Sequence, residues 1–162
     1  MSYSAPDFEH KICDPADLPA RAALLARPVV FTNGCFDILH RGHATYLAQA
    51  RALGASLIVG VNTDASVKRL GKGDDRPVNN QQDRMAVLAA LESVSLVTWF
   101  DEDTPLQLIL ACRPDILAKG GDWAVENIVG AREVLDWGGQ VHSIPFLFER
   151  STTSTIAKIR KL

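Results

Sequence analysis

Short apolar runs alternate along this chain with stretches whose apolar residues recur at helical spacing. The runs are Val29–Phe31, Leu57–Val61, Leu96–Trp99, Ile116–Leu117 and Gln140–Ile144. Each is too short for a helix and is bounded by polar or turn residues, so each predicts a strand. Between them the spacing predicts helices over residues 42–53, 64–70, 80–91, 105–112, 129–137 and 153–161. Strands that are apolar throughout and separated by helices predict a parallel sheet covered on both faces. The expected fold is α/β: a doubly wound, Rossmann-like five-stranded parallel sheet with right-handed crossovers and helices on both faces. Ligands then belong at the carboxyl ends of the strands, at the topological switch point.

Ahead of the first strand, Asp14-Pro-Ala-Asp17 reads as a helix start, with Asp14 as cap and Pro15 at the first helical position. Leu18, Ala22, Leu24 and Leu25 continue it. Residues 1–13 carry no such pattern and are expected to be loosely packed. The predicted division is an N-terminal extension with a short helix over 1–27 and one domain over 28–162. Leu70–Val78, with two glycines and four charged residues, is the clear long loop and a candidate mobile lid.

Composition narrows the classes. At 162 residues and 47% hydrophobic the chain supplies one sizeable core, and 22% charged is ordinary for a soluble protein. A net charge of −2 leaves no basic footprint for nucleic acid. No apolar run approaches the roughly 18 residues of a membrane span. The start Met1-Ser-Tyr-Ser-Ala-Pro-Asp7 lacks the charged and apolar regions of a secretory signal. Cys13, Cys35 and Cys112 show no paired spacing and fit free thiols in a reducing cytoplasm. There is no G-x-G-x-x-G and no Walker A motif.

The chemistry concentrates after the first strand, in Phe31-Thr-Asn-Gly-Cys-Phe-Asp-Ile-Leu-His40-Arg-Gly-His43. A strand, a polar turn and a helix start follow one another here. A helix N-terminus offers unpaired N–H groups and a positive dipole end, and two imidazoles add donors to the same anion. Phosphate is therefore the expected ligand. The alternatives are a plain helix cap, or zinc on His40 and His43, although no neighbouring residues complete a metal shell.

The residues Asn33–His43 resemble the H-x-G-H signature of the nucleotidyltransferase superfamily that includes the cytidylyltransferases. Ser151-Thr-Thr-Ser-Thr-Ile156 is similar to its second, Ser/Thr-rich signature. Lys72-Gly-Asp-Asp-Arg-Pro-Val78, Gln82-Asp-Arg84, Asp101-Glu-Asp-Thr-Pro105 and Lys119-Gly-Gly-Asp-Trp123 resemble one branch, the D-glycero-β-D-manno-heptose 1-phosphate adenylyltransferases. The likeness covers about residues 28–162. Two departures, Arg41 in the variable slot and Arg150 where an Ile is usual, touch neither histidine nor hydroxyl. Larger bifunctional relatives fuse such a domain to a sugar kinase, so the kinase step is expected to lie elsewhere.

The resemblance implies transfer of AMP from ATP to heptose 1-phosphate, giving ADP-heptose and pyrophosphate for lipopolysaccharide core biosynthesis. A cytidylyltransferase acting on glycerol 3-phosphate is the alternative within the class, and a nucleotide-binding regulatory module is the non-enzymatic one. It also implies Mg²⁺ carried mainly by the triphosphate, with no direct protein ligand, and a homodimer or higher homo-oligomer, with Trp137 or Phe146–Phe148 at the interface or in the core. His43, His40 and Lys72 are the implied catalytic residues, His43 at the α-phosphoryl oxygens. Thr32, Asn33, Cys35 and Phe36 would offer backbone donors, Gly34 and Gly42 close approach, and Arg84 a phosphate contact or a pair with Asp83 or Glu92. Lys119, Gly120, Gly121 and Asp122 would meet the nucleotide, or form a simple turn. Ser151, Thr152, Thr153 and Ser154 would grip the β,γ-phosphates, with Arg150 beside them. Asp37, Asn62 and Arg76 are assigned to the sugar phosphate. Asp37 has two further readings, a Mg²⁺ ligand or a helix cap, and Arg76 a second, a solvated loop.

Overall fold

The alternation of runs and helices is realised as a single parallel sheet. In a computed structural model, which describes residues 7–71, 73, 75–148 and 151–161, five strands form: β1 (Val29–Gly34), β2 (Ser56–Asn62), β3 (Leu96–Phe100), β4 (Ile116–Gly120) and β5 (Gln140–Ile144). Their order is β3-β2-β1-β4-β5. Phe31 lies opposite Ile58 on one side and Leu117 on the other. The order reverses between β1 and β4, and the switch point falls at their carboxyl ends.

Among the described residues, seven α-helices connect and cover the strands: α1 (Leu18–Ala23), α2 (Arg41–Ala52), α3 (Asp64–Arg69), α4 (Gln81–Ala89), α5 (Leu106–Cys112), α6 (Ala131–Asp136) and α7 (Thr152–Ile159). The period of two in β1 divides the core. Val29 and Phe31 pack with Leu18 of α1, Ile109 of α5 and Val134 of α6. Val30 points the other way, with Leu47 and Ala50 of α2 and Met85 and Leu88 of α4. Burying both faces makes the strands read as unbroken apolar runs.

Two departures from expectation have physical causes. β1 and β4 each run three residues further than their apolar runs, through Thr32-Asn33-Gly34 and Ala118-Lys119-Gly120. Backbone pairing continues there while polar side chains meet the ligand end. The segment before α1 is also docked rather than loose. Ile12 bridges Val97 in parallel, Cys13 N–H donates to Val97 O at 2.8 Å, and Cys13 is buried. Arg21 fastens it by donating to Ile12 O at 2.9 Å and His10 O at 2.6 Å. The extra pairing covers the edge of β3, which would otherwise present unpaired groups. Asp14 caps as expected, accepting from Ala16 N–H at 2.9 Å.

Candidate active site

The turn between β1 and α2 carries the two histidines. His40 is the N-cap of α2 and is extended, with φ −141° and ψ 172°. His43, in the first helical turn, stacks on it: the ring centroids are 3.8 Å apart and the planes 18° from parallel. Phe36 meets His43 edge-on at 5.4 Å. Phe36 itself has φ +47°, a left-handed conformation that is costly for an aromatic residue and that marks a turn held by its surroundings. Gly42 is required by this packing. A Cβ there would sit 3.0 Å from the His40 ring and 3.3 Å from Phe148 O. The glycine thus serves the imidazole as well as any close approach of a ligand.

Other residues of the first signature divide by role. Thr32 is fully buried, its hydroxyl 2.5 Å from that of Tyr46, whose phenol burial pushes up to about 12. Asn33 Oδ1 accepts from Lys119 Nζ at 3.4 Å, joining β1 to β4 across the switch point. Cys35 Sγ lies 3.7 Å from Asn62 Oδ1, and the Asn62 amide donates to Ser66 Oγ at 3.0 Å.

Three charged residues near the site are held by their surroundings. Asp37 is engaged internally. Its carboxylate accepts from Val78 N–H and Asn79 N–H, each at 2.9 Å, and from Arg76 Nε at 2.5 Å. Burial alone would raise its pKa; the two amides and the guanidinium outweigh burial and hold it below the ordinary value of 3.8. Arg76 is no solvated loop residue, being 5% exposed. Arg84 is also turned inward. It donates to Asn79 O, Cys35 O, Asn62 O and Asp64 Oδ1 at 2.6–3.0 Å, pairing with Asp64 and with neither Asp83 nor Glu92. A guanidinium so enclosed ties α4 to the turn after β1 and to the end of β2.

The second signature opens α7, whose N-cap is Ser151. Ser151 and Ser154 form a reciprocal capping box, and Thr155 Oγ1 donates back to Ser151 O. Ser154 and Thr155 therefore serve the helix start. Thr152 Oγ1 donates to Ile38 O at 3.3 Å and binds α7 to the H-x-G-H turn. Ser151, Thr152 and Thr153 face a cavity of about 460 Å³ together with His40, His43 and Arg76.

A second cavity, about 260 Å³, lies beside it and shares Cys35. Asn33, Asn62, Asp103, Thr104, Lys119 and Asn127 line it. Gly121, between the lining residues Lys119 and Trp123, has φ +117°, a conformation that a side chain would strain. The Lys119–Trp123 turn is held to β5, where Ser143 Oγ donates to Gly121 O at 2.7 Å and accepts from Trp123 N–H at 2.9 Å. Gly34 is on the wall of the second cavity, Gly120 packs under Phe146, and Asp122 is exposed outside both cavities. Lys72 and Arg150 lie outside the described residues. A larger cavity of about 630 Å³ opens at the opposite end of the sheet, between Pro28, Asp115 and Trp137. It holds neither imidazole nor hydroxyl helix, and parallel sheets bind ligands at their carboxyl ends.

Sequence reasoning named Asp103 and Thr104 only as part of a branch motif and Phe146 only as an interface or core residue, and it missed Asn127 of the second cavity. Phe146 meets Tyr46 edge-on at 5.8 Å and lines the first cavity while 51% exposed. An apolar Phe-Leu-Phe directly before the hydroxyl run was the available signal. Trp137 is partly buried, its indole N–H donating to Pro114 O at 3.0 Å. Among the described residues no group of three or more His, Cys, Asp or Glu could hold a metal ion, and no helix is long and apolar enough to cross a membrane.

A parallel sheet of this order, with stacked histidines and a capped hydroxyl helix around one cavity, defines a nucleotidyltransferase class. The chain belongs to the cytidylyltransferase-like family, whose profile matches residues 31–159. It is 57% identical over 160 residues to the D-beta-D-heptose 1-phosphate adenylyltransferase of Bordetella bronchiseptica, covering 98% of this chain and 99% of that protein. It is 54% identical over 150 residues to the bifunctional protein HldE of Marinomonas sp., covering 91% of this chain and 31% of that protein's length. Among solved structures, the lipopolysaccharide core biosynthesis protein of Thermoplasma volcanium aligns with TM-score 0.60 at 26% identity, over 75% of this chain and 98% of that one. Pantothenate synthetase of Thermus thermophilus shares the fold, with TM-score 0.64 at 18% identity over 93% and 70% of the two chains.

Proposed function

We propose that this chain is a cytoplasmic heptose 1-phosphate adenylyltransferase. It transfers AMP from ATP to D-glycero-β-D-manno-heptose 1-phosphate, giving ADP-heptose and pyrophosphate for the lipopolysaccharide core. One observation carries the reaction class: the stacked imidazoles and the N-terminus of α7 line a single cavity. The choice of sugar rests on the Bordetella relative.

The nucleophile is a sugar phosphate whose second pKa is about 6, so it is already ionised at neutral pH and needs no strong base. The barrier lies in bringing two polyanions together and stabilising charge on the α-phosphoryl oxygens. Fixed donors must supply that stabilisation. His43 donates to the α-phosphoryl oxygens, and His40, stacked on it, fixes its plane and meets the β,γ end. Ser151, Thr152, Thr153 and the free N–H groups of α7 hold the leaving pyrophosphate. Lys72, on the loop that ends at Arg76, is the further cation of the triphosphate side. The second cavity takes the sugar, its hydroxyls matched by Asn33, Asn62, Asp103, Thr104 and Asn127, with Lys119 toward the phosphate. Mg²⁺ bound with the nucleotide would supply charge neutralisation. Asp37, the carboxylate on the wall of the histidine cavity, is engaged by Arg76, Val78 and Asn79, so the triphosphate would be the main holder of such an ion.

The test is pyrophosphate release with Mg²⁺, the heptose 1-phosphate and either ATP or CTP. Release with ATP is expected. Release with CTP alone would move the enzyme to the cytidylyl branch, and silence with both would remove this acceptor.

A further inference from the structure

We propose that Asp37 is a positioning residue: through Arg76 it straps residues 75–79 onto the H-x-G-H turn and so sets one wall of the phosphate cavity. The inference rests on the nucleotidyl-transfer reading for its consequence, though not for its geometry. Three donors converge on one buried carboxylate, two backbone N–H groups and a guanidinium, and the Asn79 amide donates to Asp37 O at 2.5 Å. The ion-paired side chains are 5% exposed for Arg76 and 0% for Asp37.

Among the described residues, this buried ion pair is the main attachment of the strap. Gly71, Gly73, Asp75, Val78 and Asn79 are exposed, Pro77 is half-buried, and Arg76 is the buried residue of the described segment. Apolar burial therefore does not fix this loop; the ion pair does. Two weaker ties complete it. Arg84 Nε donates to Asn79 O at 3.0 Å, and Arg160, the C-cap of α7, pairs with Asp75. The second is exposed and worth little alone. It nevertheless joins the strap to the helix whose start lines the cavity.

The consequence follows from where the strap lies. Arg76 and Gly71 line the same cavity as His40 and His43. Loss of the Asp37 charge would leave a buried guanidinium uncompensated, which is strongly unfavourable, and the cheapest relief is release of the loop into water. The wall of the cavity then opens and the cation leaves. Asp37 thus acts on bound phosphate through Arg76 and touches no substrate.

Hydrogen exchange by mass spectrometry tests this on the full chain, with and without MgATP, for wild type, Asp37→Asn, Arg76→Gln and the double variant. In Asp37→Asn, exchange over residues 71–80 is expected to rise at least tenfold, with the β1 and α4 segments unchanged. MgATP affinity by calorimetry should fall about tenfold. The double variant, whose two neutral amides bond without a stranded charge, should recover most of the protection. A uniform rise across the sheet would make Asp37 merely structural, and unchanged exchange or unchanged affinity would overturn the strap. Should Asp37→Asn fail to fold, Arg76→Gln alone must still loosen 71–80 selectively. None of these readouts uses the sugar, so a wrong acceptor would show in the pyrophosphate assay and not here.

Discussion

Two imidazoles held face to face 3.8 Å apart place a demanding constraint on a short turn, His40 at the cap of α2 and His43 within its first turn. If the His43 contact strengthens as charge develops on the α-phosphoryl group, its removal lowers turnover more than binding. His43→Ala is expected to cut kcat about 10²–10³-fold with a much smaller change in ATP affinity, the scale of one oxyanion donor. Near-normal kcat in steady-state kinetics would take His43 out of the mechanism. The same turn shows what sequence carries and what it hides. The spacing of His40, Gly42 and His43 announces a helix start with two donors. The partners of Asp37, Arg76 and Arg84 are 39 and more residues away or on other elements, as with Asp37 and Arg76 or Arg84 and Cys35. A charged residue near a ligand motif looks the same in sequence whether it binds the ligand or holds the loop that does.

Among the elements, α7 has the thinnest attachment. Thr152 is its one buried residue, and Ile159 is 60% exposed. Its start is fixed by the capping box and by the Thr152–Ile38 hydrogen bond, so local polar geometry decides whether its N–H groups converge on the cavity. Ser151→Ala removes the cap, which costs about 1 kcal/mol of helix stability. ATP affinity measured by calorimetry is expected to fall several-fold, while Thr155→Ala, which loses a bond on the same helix outside the cavity, leaves it near wild type. Equal losses in both variants would mean that helix content alone matters. The elements themselves were legible because a buried parallel sheet writes itself as apolar runs. The ends were less so. Polar Thr32, Asn33 and Lys119 continue their strands because neighbouring backbones pair with them, a tertiary cause that no local pattern shows.

At the scale of the whole molecule, the residues ahead of β1 belong to the same core as the rest. Leu18 and Ala22 pack against Val29, Phe31, Ile109 and Val134, and Ile12 and Cys13 pair with the edge strand. The family match spans residues 31–159, and the likeness to the Bordetella adenylyltransferase takes in 98% of the chain, so this segment lies ahead of the family match. It nevertheless covers apolar surface that the sheet and α5 would otherwise expose. Pro19 and Ala23 of α1 line the cavity at the amino ends of the strands, opposite the histidines. Stability and chemistry are thereby separated along the sheet. Leu18→Ala, at a fully buried position, is expected to cost about 2–5 kcal/mol. For a chain of this size each kcal/mol lowers Tm by roughly 2–4 °C, so a drop of about 4–20 °C should appear in calorimetry. ATP affinity at 20–25 °C should stay within about twofold of wild type, because cavity formation at one end leaves a close-packed sheet to hold the other. A stable Leu18→Ala protein would show that α1 rests on the domain without supporting it. A stable protein fold with impaired nucleotide binding would show that the two ends of the sheet are coupled.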